Sequence, residues 1–447
     1  MSADLSPSTA SGTVAGTGLG RQIAALAIPA FATLVSEPLL LMADSAFVGH
    51  LGTAELGALG IAGQVVTIVL GLCVFLAYGT TSVVARLLGS GHRERALAGG
   101  IDGMVLGLGL GLILVVAIEL VAPPLVGLYG ASPLVHEMAV GYLRIACLGL
   151  PFLLVSLAST GVLRGLQDTR TPLVVAIAVN LVNVALNWVL IYPMGLGLTG
   201  SAIGTLVSQA GGAVALSTVV LRGARAAGAP LGFNPGGVLS AARQGGWLVL
   251  RSLWLQLGLF ATMTVAARTG AIGLAGHQVT NSLWAFICLA LDALAIAAQA
   301  LVGHELGAGR DARARRITLT LCWWGAGGGI VLALLLVALR TLIAPVFTPD
   351  PAVQHLLHQL LLALALITPI GGIVFVLDGV LIGAGDAKYL AAAGFVATAA
   401  LLPMAWAVDA GRHGVVWLWV AYGGYLVARA LTLVVRARTD AWQRLGA

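Results

Sequence analysis

GVLRGLQDT occupies Gly161–Thr169, and GVLIGAGDA occupies Gly379–Ala387. The two stretches stand 218 residues apart (379 − 161). Three further landmarks keep that spacing. GSGHRERA opens at Gly89 and GAGRDARA at Gly307, Pro133 is matched by Pro351, and Pro151 by Pro369. One spacing held without a gap marks an internal duplication. The fold therefore turns on what a single copy is.

Composition answers that. Of the 447 residues, 59% are hydrophobic and 9% charged, with a mean hydropathy of +1.01. Soluble proteins carry roughly 25% charged residues, so this chain cannot cover a water-facing surface. Runs of about 20 apolar residues, long enough to cross the hydrocarbon of a bilayer, recur throughout. A transmembrane β-barrel would instead show short alternating segments. Twelve spans are expected, starting near residues 21, 56, 96, 134, 171, 198, 246, 274, 315, 353, 389 and 414. Six per copy is an even number, so both copies enter from the same side and the repeat is parallel. The sequence predicts an all-α polytopic membrane protein of twelve transmembrane helices in two pseudo-symmetric six-helix bundles.

The expected organisation is a flexible cytoplasmic tail at 1–20 and an N-terminal lobe at 21–222. A cytoplasmic linker at 223–244, a C-terminal lobe at 245–437 and a second cytoplasmic tail at 438–447 follow. With the N-terminus inside, seventeen Lys and Arg residues fall on the inner side. Only Arg268, Arg340 and Arg412 fall outside. That bias places both termini in the cytoplasm. It also explains the pI of 9.5 without nucleic acid. The excess of Ala, Gly and Arg over a single lysine points to a GC-rich bacterial genome, and so to the bacterial inner membrane.

Lys388 is flanked by Ala387 and Tyr389, so it does not close a phosphate-binding P-loop. The Gly-Leu run around Gly107 lies inside an apolar span and reads as helix packing. Cys73, Cys147, Cys288 and Cys322 form no CxxC pair, and neither disulfide nor metal site is expected. No HExxH or GxSxG motif suggests an enzyme. No nucleotide and no cofactor are expected, and active transport would have to draw on an ion gradient.

SEPLLLMADSAFVGH, Ser36–His50, holds the candidate coupling groups. Intramembrane carboxylates are costly and by default functional. Glu37 and Asp44 are two helical turns apart and so share a face. Pro38 removes a backbone donor between them and invites a bend. Removal from water favours the neutral form of an acid. Such a group can carry a proton, or, when ionised, hold a cationic substrate. The bland alternative is that the acids bond only to each other or to backbone. Asn180, Asn183 and Asn187 line one face of a later span, suited either to a wet cavity or to helix–helix bonding. Asp292 and Asp378 are intramembrane acids of the second copy. They can pair with Arg251 or Arg429, or line a cavity. Thr262 stands 218 residues after Asp44, so the first carboxylate is not duplicated and coupling is expected in the N-terminal half. Asp102 and Glu119 lie near span ends and read as structural, and Arg144 as neutralising a carboxylate or snorkelling.

GVLRGLQDTRTP and LGTAELGALGIAGQ, with LDALAIAAQALVGHELG and FVLDGVLIGAGD, resemble the multidrug and toxic compound extrusion (MATE) family and its DinF-like branch. The likeness covers about residues 21–437. It implies a V-shaped transporter that exports organic, often cationic, small molecules in exchange for protons or sodium ions. It places the family's first-helix aspartate at Asp44 and its N-lobe polar cluster at Tyr142, Thr160, Asn183, Asn187 and Thr205. Some prokaryotic members carry Asp where this chain has Asn187, and Asn where it has Thr160. A hard cation wants charged oxygen ligands, so a proton is expected in preference to sodium. A lipid-linked precursor flippase of related architecture is the rival. It would have a strongly cationic central cavity. A monomer in the bilayer is expected.

Overall fold

The computed structural model describes residues 17–443. The expected tails thus lie outside the described residues over 1–16 and 444–447. Fourteen helices follow in order among the described residues: α1 Thr17–Gly49, α2 Thr53–Cys73, α3 Phe75–Gly89, α4 Arg93–Gly127, α5 Pro133–Cys147, α6 Leu150–Gly165 and α7 Arg170–Ile191. Then come α8 Gly197–Ala226, α9 Pro235–Arg268, α10 Gly270–Gly307, α11 Asp311–Phe347, α12 Pro351–Gly383, α13 Ala387–Ala410 and α14 Val415–Arg438. α2 and α3 together make one span. α5 and α6 make another, bent by 46° at the break. Among the described residues this gives twelve helical segments long and apolar enough to cross a membrane, six in each copy. Of the interval 223–244, only residues 227–234 lie outside helix, because α8 and α9 extend into both ends.

The two glycine-rich landmark pairs are helix-ending turns. At the end of α6 the Asp168 N–H donates to the Leu163 carbonyl, and at the end of α12 the Asp386 N–H donates to the Leu381 carbonyl. These are matching Schellman closures, which need a left-handed residue just beyond the helix. Gly385 fills that place at φ 75°, and Gln167 fills it in the first copy at φ 64°. The other landmark pair does the same after α3 and α10, with Gly91 at φ 84° and Gly309 at φ 70°.

Close helix approaches repeat as well. A Cβ on Gly111 would meet the backbone at Pro151, and one on Gly329 would meet the backbone at Pro369. Small residues at these crossings let the backbones touch, the usual source of helix association in lipid.

The apolar cores show how the lobes meet. One cluster, including Val48, Leu59, Ile118 and Leu143, is built from the first copy alone. Another, including Val265, Leu336, Leu361 and Trp419, is built from the second copy alone. On the side of the start of α1 and the end of α14 a third cluster joins them, with Ile23, Leu26 and Phe75 packed among Leu301, Leu306 and Val380. The lobes thus share a core at one end and separate toward the other, which is the V. At the junction α3 and α10 cross about the pseudo-two-fold axis. A Cβ on Gly89 would strike the His304 carbonyl, and one on Gly307 the Arg86 carbonyl. These are the same contact seen from each copy. The Arg86 guanidinium donates to the Ala384 carbonyl across it at 2.5 Å, and Ser82 donates to the Gly383 carbonyl. Trp442, beyond α14, is also buried in the shared core.

Candidate functional site

α1 runs unbroken through Pro29 and Pro38. Pro29 cannot bond the Ala25 carbonyl, and the Thr169 hydroxyl, at the start of α7, points to that oxygen at 3.4 Å. Beside Pro38, the Asn180 amide of α7 donates to the Ser36 carbonyl at 2.9 Å. α7 therefore reaches the carbonyl freed by Pro29 and grips α1 two residues before Pro38, whose own freed carbonyl is that of Leu34. Asn180 acts there and not with the other two asparagines.

Above these contacts α1 carries Asp44 into the N-lobe interior, where its residue is 4% exposed. The Asn187 amide donates to Asp44 Oδ1 at 2.6 Å and to Asn183 Oδ1 at 3.1 Å. The Asn183 amide donates to the Thr205 hydroxyl of α8 at 3.2 Å. Tyr142 of α5 is buried beside Ser201 and Thr205. Four helices thus converge on one carboxylate through neutral groups. Asn187 Oδ1 is buried and accepts no hydrogen bond from the described residues. It sits against Gly204, where a Cβ would collide with that same oxygen. An ionised Asp44 and the Asn187 oxygen together offer acceptors to a proton-bearing or cationic group. Thr160, on α6, is not part of this chain of hydrogen bonds. An outer cavity of about 630 Å³ reaches toward Tyr142 between Glu55, Glu137 and Leu196.

Glu37 shares the helical face of Asp44 but not its setting. Its side chain is exposed while protein surrounds it at longer range, as suits a residue facing the cleft between the lobes. Among the described residues it makes no hydrogen bond or ion pair.

The second copy builds something different. Asp378 of α12 is clamped by two arginines, Arg251 at 2.9 Å and Arg429 at 2.5 Å, and Arg429 also donates to the Tyr425 hydroxyl. Asp292 of α10 accepts from the Tyr78 hydroxyl of α3, at 3.2 Å to the nearer oxygen. Both acids line a cavity of about 450 Å³, with Arg251, Gln299, Trp284 and Tyr422. So Asp378 both pairs and lines the cavity, whereas Asp292 lines it without a direct arginine bond among the described residues. The place that mirrors Asp44 is Thr262, whose hydroxyl donates back to the Leu259 carbonyl of its own helix. Those mirroring Asn183 and Asn187 are Leu401 and Ala405, in the apolar core. Near a span end, Arg144 does meet Glu119, at 3.5 Å. Asp102, in contrast, accepts from the Asn234 N–H at 2.8 Å and so ties α4 to the start of α9.

Three residues of the sites escape a reading of the sequence. Tyr78 and Gln299 are single polar residues within apolar runs. Arg164 counts there only toward topology, yet it is buried. The signal for Arg164 lies in the repeat itself, since Ile382 stands at its mirrored position.

A family model described as MatE matches residues 29–189 and 248–407, one match in each lobe. Protein DETOXIFICATION 44, chloroplastic, of Arabidopsis thaliana is 30% identical over 454 residues, covering 96% of this chain and 84% of that protein. DNA damage-inducible protein F of Escherichia coli (strain K12) is 27% identical, covering 91% of this chain and 90% of that protein. Among solved structures, the Vibrio cholerae MATE transporter VcmN in the bent form superposes with a TM-score of 0.87 at 22% identity. That match covers 95% of this chain and 99% of that one. A family model that fills both lobes, and a relative alike over nearly the whole length, show that this multi-pass membrane protein belongs to the MATE family of transporters.

Proposed function

We propose that the chain is a proton-coupled antiporter that exports hydrophobic, often cationic organic compounds, with Asp44 as the coupling group. One observation carries this reading. Among the described residues, the buried Asp44 carboxylate takes its only side-chain hydrogen bond from the neutral amide of Asn187, and no arginine is bonded to it. A carboxylate held by an arginine is committed to its charge, whereas one held by an amide can lose it.

With Asp44 ionised, the N-lobe interior attracts an organic cation. A proton arriving from the open side neutralises the carboxylate, and the hold on the cation weakens. α1 changes shape near Pro38, where its ladder already lacks a donor, and the lobes rock about the crossing of α3 and α10. One carboxylate among amides and hydroxyls is a poor set of ligands for a hard cation, which favours protons over sodium. The positive-inside bias supports cytoplasmic termini, and the excess of Ala, Gly and Arg over a single lysine supports a bacterial inner membrane.

The test is efflux of a fluorescent organic cation from proteoliposomes under separately imposed proton and sodium gradients. A proton gradient alone should drive efflux, and Asp44→Asn should abolish it. Efflux driven by sodium alone would replace the proton in this scheme.

A further inference from the structure

The C-lobe chamber contains polar atoms that the described residues leave without partners. Arg251 Nε, Gln299 Nε2 and Asp378 Oδ1 are all buried and unbonded, and all three residues line the same cavity of about 450 Å³. Their residues are 9%, 1% and 5% exposed. Buried polar groups are normally satisfied, and each one left over costs free energy. Two of these are donors and one is an acceptor. Tyr422 adds a further donor, since its oxygen already accepts from Trp284 Nε1 and its own O–H is free to turn inward.

The rest of the wall is aromatic. Tyr422 stacks on Tyr425 with ring centroids 5.4 Å apart, and Trp284 stands edge-on to Tyr422. A flat ring fits against such a surface, and the volume lies within the usual range for small-molecule sites.

Charge completes the description. Arg251 and Arg429 face Asp378, and the buried Arg164 acts electrostatically on Asp292. Among the lining residues two guanidiniums stand against two carboxylates, so the preference for an anion rests on the two unpartnered donors, Arg251 Nε and Gln299 Nε2.

We propose that this chamber is a second binding site, for planar aromatic acids. The carboxylate takes the hydrogens of Arg251 Nε and Gln299 Nε2, and the ring lies against Trp284, Tyr422 and Tyr425. The chamber also has N-lobe residues in its wall, Gly71, Val74 and Tyr78, so its occupant is in contact with both lobes. This site is separate from the Asp44 reading and does not depend on it.

Two probes with the same ring and opposite charge test the site: 2-naphthoate and 2-naphthylmethylammonium, titrated calorimetrically into the purified full chain at pH 7. The proposal predicts that 2-naphthoate binds at least about tenfold tighter than the cation. Gln299→Leu should weaken naphthoate about tenfold, the cost of one hydrogen bond to a charged group. Gln299→Glu, which keeps the shape and replaces a donor with an anion, should weaken it further. Equal or tighter binding of the cation by the wild-type protein overturns the site. So does naphthoate binding that both variants leave unchanged. Either result would leave the Asp44 reading standing, because that is tested with cationic cargo and a proton gradient.

Discussion

The Asn187 side-chain amide donates to Asp44 Oδ1 at 2.6 Å, within a cluster closed to solvent. The same amide also donates to Asn183, so one NH2 group holds the carboxylate and orients its neighbour. Replacing Asn187 by Ala removes both bonds and leaves a buried carboxylate without a donor. The expected loss of stability is about 1–3 kcal/mol, with proton-driven efflux slowed at least about tenfold. Thermal unfolding and proteoliposome efflux, measured on the same preparation, check both parts.

Gly307 and Gly89 form the crossing of α3 and α10. A side chain at either position would meet a backbone carbonyl of the other lobe. Carbonyls cannot swing aside as flexible side chains do. Gly307→Val should therefore wedge the lobes apart on the side of the start of α1 and the end of α14. Ser82 lies at that junction, and a cysteine placed there should react with a membrane-impermeant maleimide several-fold faster in the valine background. Gly89→Val should act alike, because the two contacts are related by the pseudo-two-fold axis.

Asp378 and Asp44 should respond in opposite ways to loss of charge. Asp378→Asn leaves Arg251 and Arg429 buried without the carboxylate they both bond, at a cost of about 3–5 kcal/mol. Asp44→Asn removes a carboxylate that no arginine needs, and should leave the unfolding temperature nearly unchanged. Comparing the two variants in one detergent by differential scanning fluorimetry separates a structural acid from a titrating one.

Exchange of one proton for one monovalent cation moves no net charge. The pH difference alone then drives efflux, at about 1.4 kcal/mol per unit. An imposed potential without a pH difference should leave the rate unchanged. Glu37 is the group that could alter this, because it shares the face of Asp44 and has no partner among the described residues. If Glu37 carried a second proton, potential would add about 2.3 kcal/mol per 100 mV. A valinomycin-imposed potential applied to wild-type and Glu37→Gln proteoliposomes decides between the two.

Much of the architecture could be read from the chain because the membrane leaves few choices. Span length, loop charge and the repeated turns at Gln167 and Gly385 each answer to a single physical demand. The site was legible in part. Asp44, Asn183 and Asn187 are expensive in hydrocarbon and stand out for that reason. Asn180 stands out equally, yet it supports α1 beside Pro38. Helical spacing fixes a face but not the neighbour it meets. Glu37 shows the same limit, since two turns put it in line with Asp44, yet it is exposed where Asp44 is buried. The C-lobe chamber was least legible. Gln299 and Tyr78 are single polar residues in apolar runs, and only the packing of α3, α10 and α12 brings them to one cavity.

The central claim is that Asp44 gives up a proton when it takes cargo. Proton release on binding tests this most directly, with an organic cation added to purified protein in weakly buffered detergent solution near neutral pH. The account predicts release of up to one proton per cation bound by the wild-type protein, and none by Asp44→Asn. Equal release from both proteins would contradict it.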